Sequence, residues 1–331
     1  MKHKGAILSV IVGYMVLSGL HGQDPVFSHF YANALQMNPS LAGIEGTPKL
    51  FIGYRNQWPN TGSSYITYHA SYDQYVEKLH GGLGVRMVND RQGDGVFNAY
   101  NLDFMYAYQF QATRRLSLSG GLQAGLGQRH FDPSSLQFGD MFNPVTGGLR
   151  TDITPENISL YNVIYPDFGA GVSAFYGNFY GGIAMHHLFS PVVTDSNDPT
   201  GKIPRKLTVH FGALIPIIEK QLGKEVMQLS PNMVIIQQLN IQQLNYGMDL
   251  IYRDFVVGLW TRHDWLLNYG NIIFTAGYGS DNLRFRYSYD VRLSNPAVQL
   301  QNLGAHEFSL LIIYENLRRR NKHRAIKCPK I

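Results

Sequence analysis

The chain has a single cysteine among its 331 residues, Cys328 near the end, which excludes an internal disulfide framework. Charge is scarce too. Only 15% of residues are Asp, Glu, Lys or Arg, where an average soluble protein has about 25%. Long apolar runs are also missing. The stretch Ala6 to Leu20 is broken by Ser9, Gly13, Tyr14, Ser18 and Gly19, and it is shorter than the ~20 residues a membrane-spanning helix needs. With Lys2, His3 and Lys4 ahead of it, the stretch reads as a signal peptide over 1–22, cleaved before Gln23. After it comes no run of about 18 apolar residues, so no spanning helix is predicted.

Catalytic constellations are wanting as well. No pairing of carboxylates, no Ser/His/Asp order and no Cys/His nucleophile can be assembled, so the chain reads as a non-enzyme, with no cofactor and no metal expected. Gly169-Ala170-Gly171-Val172-Ser173-Ala174 matches the G-x-G-x-x-A dinucleotide fingerprint, but that fingerprint needs a strand before it and a helix after it. Here it sits inside one alternating segment. His186 and His187 are adjacent, and neighbouring strand residues face opposite ways; no further ligands stand at a useful spacing, so a structural role is expected.

The chain is rich in aromatics and glycine: 21 Tyr, 18 Phe and 34 Gly. The aromatics recur at every second position over segments of about ten residues, the signature of a strand with one apolar and one polar face. In 98–110, Tyr100, Leu102, Phe104, Tyr106, Tyr108 and Phe110 alternate with Ala99, Asn101, Asp103, Ala107 and Gln109, Met105 being the one apolar exception. Leu116, Leu118, Leu122, Ala124 and Leu126 alternate with Ser117, Ser119, Gly121, Gln123, Gly125 and Arg129. Leu283, Phe285, Tyr287, Tyr289 and Val291 oppose Arg284, Arg286, Ser288, Asp290 and Arg292.

Strands cannot cross lipid singly, because their backbone groups must be paired, so they must close into a barrel. Fourteen segments are predicted: 49–58, 64–73, 81–89, 97–110, 115–129, 166–176, 178–187, 205–215, 226–237, 241–252, 254–262, 269–278, 283–292 and 304–315. Connections after even-numbered segments are mostly short, and those at 130–165, 188–204 and 293–303 are longer, as in outer-membrane barrels with short periplasmic turns. The predicted fold is therefore all-β, an outer-membrane-type transmembrane antiparallel barrel of about fourteen strands. The predicted plan is signal peptide 1–22, periplasmic N-terminal segment 23–47, barrel 48–315 and basic periplasmic tail 316–331. The long loop at 130–165 is predicted to make external contacts or cover the lumen.

The formal charge of +5 is unevenly placed. Nine of the 28 Lys and Arg lie within 1–22 and 318–331, which hold no acid, so the remainder with its 23 Asp and Glu is net acidic. The basicity belongs to Arg318, Arg319, Arg320, Lys322, Arg324, Lys327 and Lys330. This pattern does not suggest nucleic-acid binding; it describes a tail that binds anionic headgroups or a periplasmic partner, or else a solvated, disordered end. The predicted lumen-facing charges are Arg55, Arg86, Asp103, Arg129, Asp249, Arg284, Arg286, Asp290 and Arg292. They are read either as a salt-bridge network that satisfies the interior, or as groups that line a conduit or hold a plug.

Several blocks, in order along the chain, carry a family resemblance. They are Asn38-Pro39-Ser40-Leu41-Ala42-Gly43, Tyr54-Arg55-Asn56-Gln57-Trp58, Asp167-Phe168-Gly169, Tyr180-Gly181-Gly182, and His187-Leu188-Phe189-Ser190-Pro191. Tyr287-Ser288-Tyr289-Asp290, Leu293-Ser294-Asn295, Gly304-Ala305-His306-Glu307 and Cys328-Pro329 follow. Together they resemble the PorP/SprF family of type IX secretion system outer-membrane proteins. The resemblance implies secretion or surface attachment of large adhesins in bacteria that often glide, with secretion components or the cargo's C-terminal domain as partners. The end at Lys330-Ile331 departs from the family, whose members often finish on an aromatic soon after Cys-Pro. The Asn-Pro block is predicted to turn the chain at the barrel entrance, and Trp58 to join an interfacial aromatic girdle. The alternative is a passive transporter for small or hydrophobic solutes.

Overall fold

The computed structural model describes residues 24–59, 65–132, 161–193, 201–218, 227–265, 270–293 and 304–314. Among them, fourteen antiparallel strands form one sheet. They are β1 (Lys49–Gln57), β2 (Tyr65–Val76), β3 (Gly81–Gln92), β4 (Phe97–Gln111), β5 (Leu116–Phe131), β6 (Tyr161–Tyr176) and β7 (Phe179–His186). Next come β8 (Lys206–Ala213, continued by Ile215–Ile218), β9 (Met227–Gln238), β10 (Ile241–Tyr252), β11 (Phe255–His263), β12 (Asn271–Gly279), β13 (Leu283–Arg292) and β14 (Ala305–Ile313). Each strand pairs with the next in sequence, and β1 pairs with β14 from Lys49↔Ile313 to Gln57↔Ala305. The sheet is therefore closed, with no free edge along the wall.

Alternation decides which way each face points. Tyr100, Leu102, Phe104, Tyr108 and Phe110 are exposed on the outer wall, whereas Ala99, Asp103, Met105 and Ala107 are buried inside. No helix among the described residues is long and apolar enough to cross a membrane; this chain crosses with strands. β6 begins at Tyr161 rather than 166, so the loop reading of 130–165 gives up its last five residues to the wall. The lumen cover predicted for that loop and the basic tail (Arg318, Arg319, Arg320, Lys322, Arg324, Lys327) lie outside the described residues.

The two rims differ. One carries the tight connections 112–115, 177–178 and 253–254, together with the start of β1 and the end of β14; the other carries the long ones after β5, β7 and β13. Sequence alone places 23–47 outside the barrel on the side where β1 begins. In the structure, residues 24–44 run through the lumen instead. Asp24 lies at the long-loop rim beside Lys206 and Gln238, and Gly43 lies near the opposite rim against Asp73 of β2. This segment includes a single turn of helix, α1 (Ala34–Met37), and a 3₁₀ turn over Pro39–Leu41. Phe30, Met37, Leu41 and Ile44 pack with Phe175, Tyr180, Val234, Trp260 and Ile273 of the inner wall, forming the core. Leu35 and Ala42 pack on Met105 and Ala107. Met105, the apolar exception on a polar face, thus marks a site where the lumen is filled by protein rather than water.

Candidate functional site: the plugged lumen

The Asn38–Gly43 block sits deep in the barrel rather than at its entrance. Pro39 opens the 3₁₀ turn with its fixed φ, and the Asn38 carboxamide oxygen accepts from Ser40 N at 2.9 Å. The Asn38 amide nitrogen then donates to Val172 O (3.2 Å), Ser173 Oγ (3.1 Å) and Ile183 O (3.3 Å), tying the turn to β6 and β7. Ser119 Oγ donates to Ser40 O at 2.6 Å from β5. The wall makes room with glycines. A Cβ on Gly171 would overlap Asn38 Oδ1, one on Gly121 would overlap Ser40 N, and one on Gly82 would overlap the Ala42 carbonyl. Gly43 turns with φ +64 and donates its N–H to Asp73 Oδ2 at 2.8 Å, a conformation that suits glycine.

Ser28 and His29 engage the strongest charge cluster. Arg55 on β1 bridges Asp290 of β13 (2.9 Å) and Glu307 of β14 (3.0 Å), and Arg262 of β11 reaches Asp290 at 3.2 Å. The plug completes the cluster: Ser28 Oγ donates to Asp290 Oδ1 (2.6 Å), and Ser28 N and His29 N donate to the two Glu307 oxygens (2.7 and 3.1 Å). Arg262 also donates to Phe27 O at 3.0 Å. Buried charges need such pairing, because an unmatched one costs several kcal/mol.

Three further clusters line the plug. Arg86 pairs with Asp103 at 2.6 Å and donates to Leu35 O at 3.4 Å; Gln123 donates to Asp103 Oδ1 at 2.9 Å and also contacts His186 Nδ1 at 2.9 Å. Asp249 receives Arg286 at 3.2 Å and Trp260 Nε1 at 2.9 Å. At the long-loop rim, Asp24 meets Lys206 Nζ at 2.6 Å and His187 Nε2 at 3.0 Å, while the other His187 nitrogen lies 3.0 Å from Asp167. His187 follows β7 with φ +55 and turns inward, so His186 and His187 are both buried despite being adjacent. Burial opposes the His187 charge, but the Asp24 carboxylate and then Asp167 hold the imidazole up to about 9. Burial likewise opposes ionisation of Asp24, yet His187 and Lys206 keep its carboxyl well below the usual range.

Seven of the nine predicted lumen charges, Arg55, Arg86, Asp103, Arg129, Asp249, Arg286 and Asp290, are buried inside. Arg129 lies 3.4 Å from Tyr165 Oη and 5.5 Å from the centre of the Phe97 ring. Arg284 and Arg292 share the inward face of β13 but lie at its two ends, half-buried and exposed, respectively. Sequence reading missed Glu307, Arg262, Lys206, Asp167 and Asp24. Glu307 stands within one of the resemblance blocks and alternates with Phe308, which was the available signal. Asp24 has none, since its partners lie more than 160 residues away. Among the described residues, no group of three or more His, Cys, Asp or Glu side chains could hold a metal ion.

Solved structures of similar fold include the Ralstonia pickettii toluene transporter TbuX, with 12% identity, TM-score 0.48, and 85% of this chain and 93% of that one covered. Another is the CymD monoaromatic hydrocarbon channel, at 12% identity and TM-score 0.48, with 90% and 96% covered. No curated protein matches the chain. The profile described as type IX secretion system membrane protein PorP/SprF matches residues 20–312, nearly the whole barrel and its plug. An outer-membrane-type barrel matched by this profile from its plug through nearly all of its wall, with several of the ordered sequence blocks on the plug and on the charge cluster, belongs to the PorP/SprF family of type IX secretion system membrane proteins.

Proposed function

We propose that this protein is a non-enzymatic outer-membrane scaffold that supports secretion, or surface attachment, of large adhesin cargo by the type IX system, including adhesins used in gliding. The family assignment supports the pathway. The observation that carries the scaffold reading is the lumen, which is occupied from rim to rim by residues 24–44 with their own buried core and ion pairs. An interior filled in this way favours a docking platform over a passive solute pore, leaving rims and loops as contact surfaces. In this reading the long-loop rim faces the cell exterior and meets cargo. The last strand ends at Ile313 on the short-turn rim, which in this reading faces the periplasm, with the basic tail as the part of the sequence suited to secretion components and anionic headgroups. Cleavage of 1–22 then leaves the new amino terminus beside Asp24, on the cargo side. Deleting the gene and assaying surface adhesins tests the proposal: loss of at least one type IX cargo from the surface is expected, and normal display of every cargo would overturn it.

A further inference from the structure

Pro231 interrupts the ladder between β8 and β9. β8 and β9 keep a continuous register from Asn232↔Gly212 to Leu229↔Ile215, but Pro231 falls between these pairs, opposite Ala213. Proline has no N–H, so the ladder bond that would reach Ala213 cannot form. Leu214 N, next along β8, faces β7 in the ordinary alternation and donates to Asn178 O at 2.9 Å. From the lumen, Tyr31 of the plug brings its hydroxyl to the same place, donating to Phe211 O at 3.2 Å.

On the outer face, a recess of about 690 Å³ opens over this interruption. Its floor is Gly181, Ala213 and Pro231, and Phe179, Phe211 and Met248 rise around it. The volume falls within the range of roughly 300–1,000 Å³ typical of ligand pockets. No lining residue is charged. Headgroups and acidic or basic peptides are therefore unmatched here. The strands beneath pair on both sides, with β7 and β10 flanking them, so there is no free edge to which a partner strand could add. What remains complementary is hydrocarbon presented from the bilayer. We propose that this recess is a specific binding site for one acyl chain of an outer-membrane phospholipid, held more tightly than the lipid that covers the rest of the wall.

The test uses the intact protein extracted from its own membrane in mild detergent, with native mass spectrometry as the readout. One retained phospholipid per barrel is expected. Gly181→Leu and Ala213→Leu fill the floor from two different strands and should each lower occupancy at least tenfold. A Cβ on Gly181 stands 3.1 Å from His210 O, tight but without overlap. Ile52→Leu, exposed on β1 across the barrel from the recess, should retain the lipid. A wild-type barrel that keeps no lipid, or filled variants that keep it, would overturn the proposal. A second readout needs no variant. A phospholipid with a photoreactive acyl chain should label 174–181, 211–213, 231–233 and 246–248 in preference to the equally lipid-facing 100–104. Uniform labelling, or a protein chain cross-linked at Phe179 instead, would also overturn it.

Discussion

Asn38 Oδ1 occupies the space that a side chain on Gly171 would fill. The plug and the wall of this barrel are fitted at single-atom resolution there, and the G-x-G-x-x-A run that mimics a nucleotide fingerprint is a notch for an asparagine.

Substituting Gly171→Ala should therefore lower stability by about 1–3 kcal/mol, the usual cost of overpacking. Gly120→Ala is the matched control, since a Cβ there meets nothing within 4 Å. Urea unfolding followed by gel mobility of the folded form reads both. Equal midpoints for the two variants would contradict the fit described above.

Arg55→Gln should be far more damaging than Arg284→Gln, although both are arginines on an inward face. Removing Arg55 strips buried Asp290 and Glu307 of a shared partner, and breaking such a pair costs about 3–5 kcal/mol. Arg284 is half exposed at a rim, where a pair is worth about 1 kcal/mol or less. Yields of folded barrel and denaturant midpoints separate the two.

The latch between Asp24 and His187 makes attachment of the plug pH-dependent. His187 is raised from 6.5 to about 9 in the folded state, so its contribution is fully present below the unfolded value and is lost as pH rises through about 9. By its lowered carboxyl, Asp24 contributes above its unfolded value and loses that contribution as pH falls below it. Protease access to residues near 24 should thus be lowest around pH 5–6 and rise toward pH 9–10. In His187→Gln the alkaline rise should vanish, while the acid limb remains.

Planar-bilayer conductance tests the filled lumen. The intact protein should show no steady pore current. A variant lacking 25–40 that still runs as a folded barrel should conduct, because the plug's core and ion pairs are then gone. A large current from the intact protein would favour the solute-transport reading.

The barrel was legible because its signal is local. A strand in a lipid-bound wall must show one apolar and one polar face, and that period-two pattern can be read without knowing any partner. All fourteen strands, the closed antiparallel fold and the inward set around Arg55, Asp103, Asp249 and Asp290 came from it. The charge network was half legible. Glu307 and Arg262 sit on alternating strands like the residues that were found, but only closure of β1 on β14 shows that Arg55 and Glu307 belong together.

Residues 24–47 were legible only as a segment without alternation, placed by default outside the wall. Their sequence records short-range facts: Pro39 starts a turn, Gly43 permits φ +64, and the phenylalanines and leucines need burial. Nothing local records where that burial occurs. The lumen volume, the glycine notches at positions 82, 121 and 171, and carboxylates some 260 residues away settle it. Alternation by itself determined a barrel. That the barrel is filled by its own amino-terminal segment was decided only by tertiary structure, because filling depends on the fit between surfaces brought together by closure of the sheet.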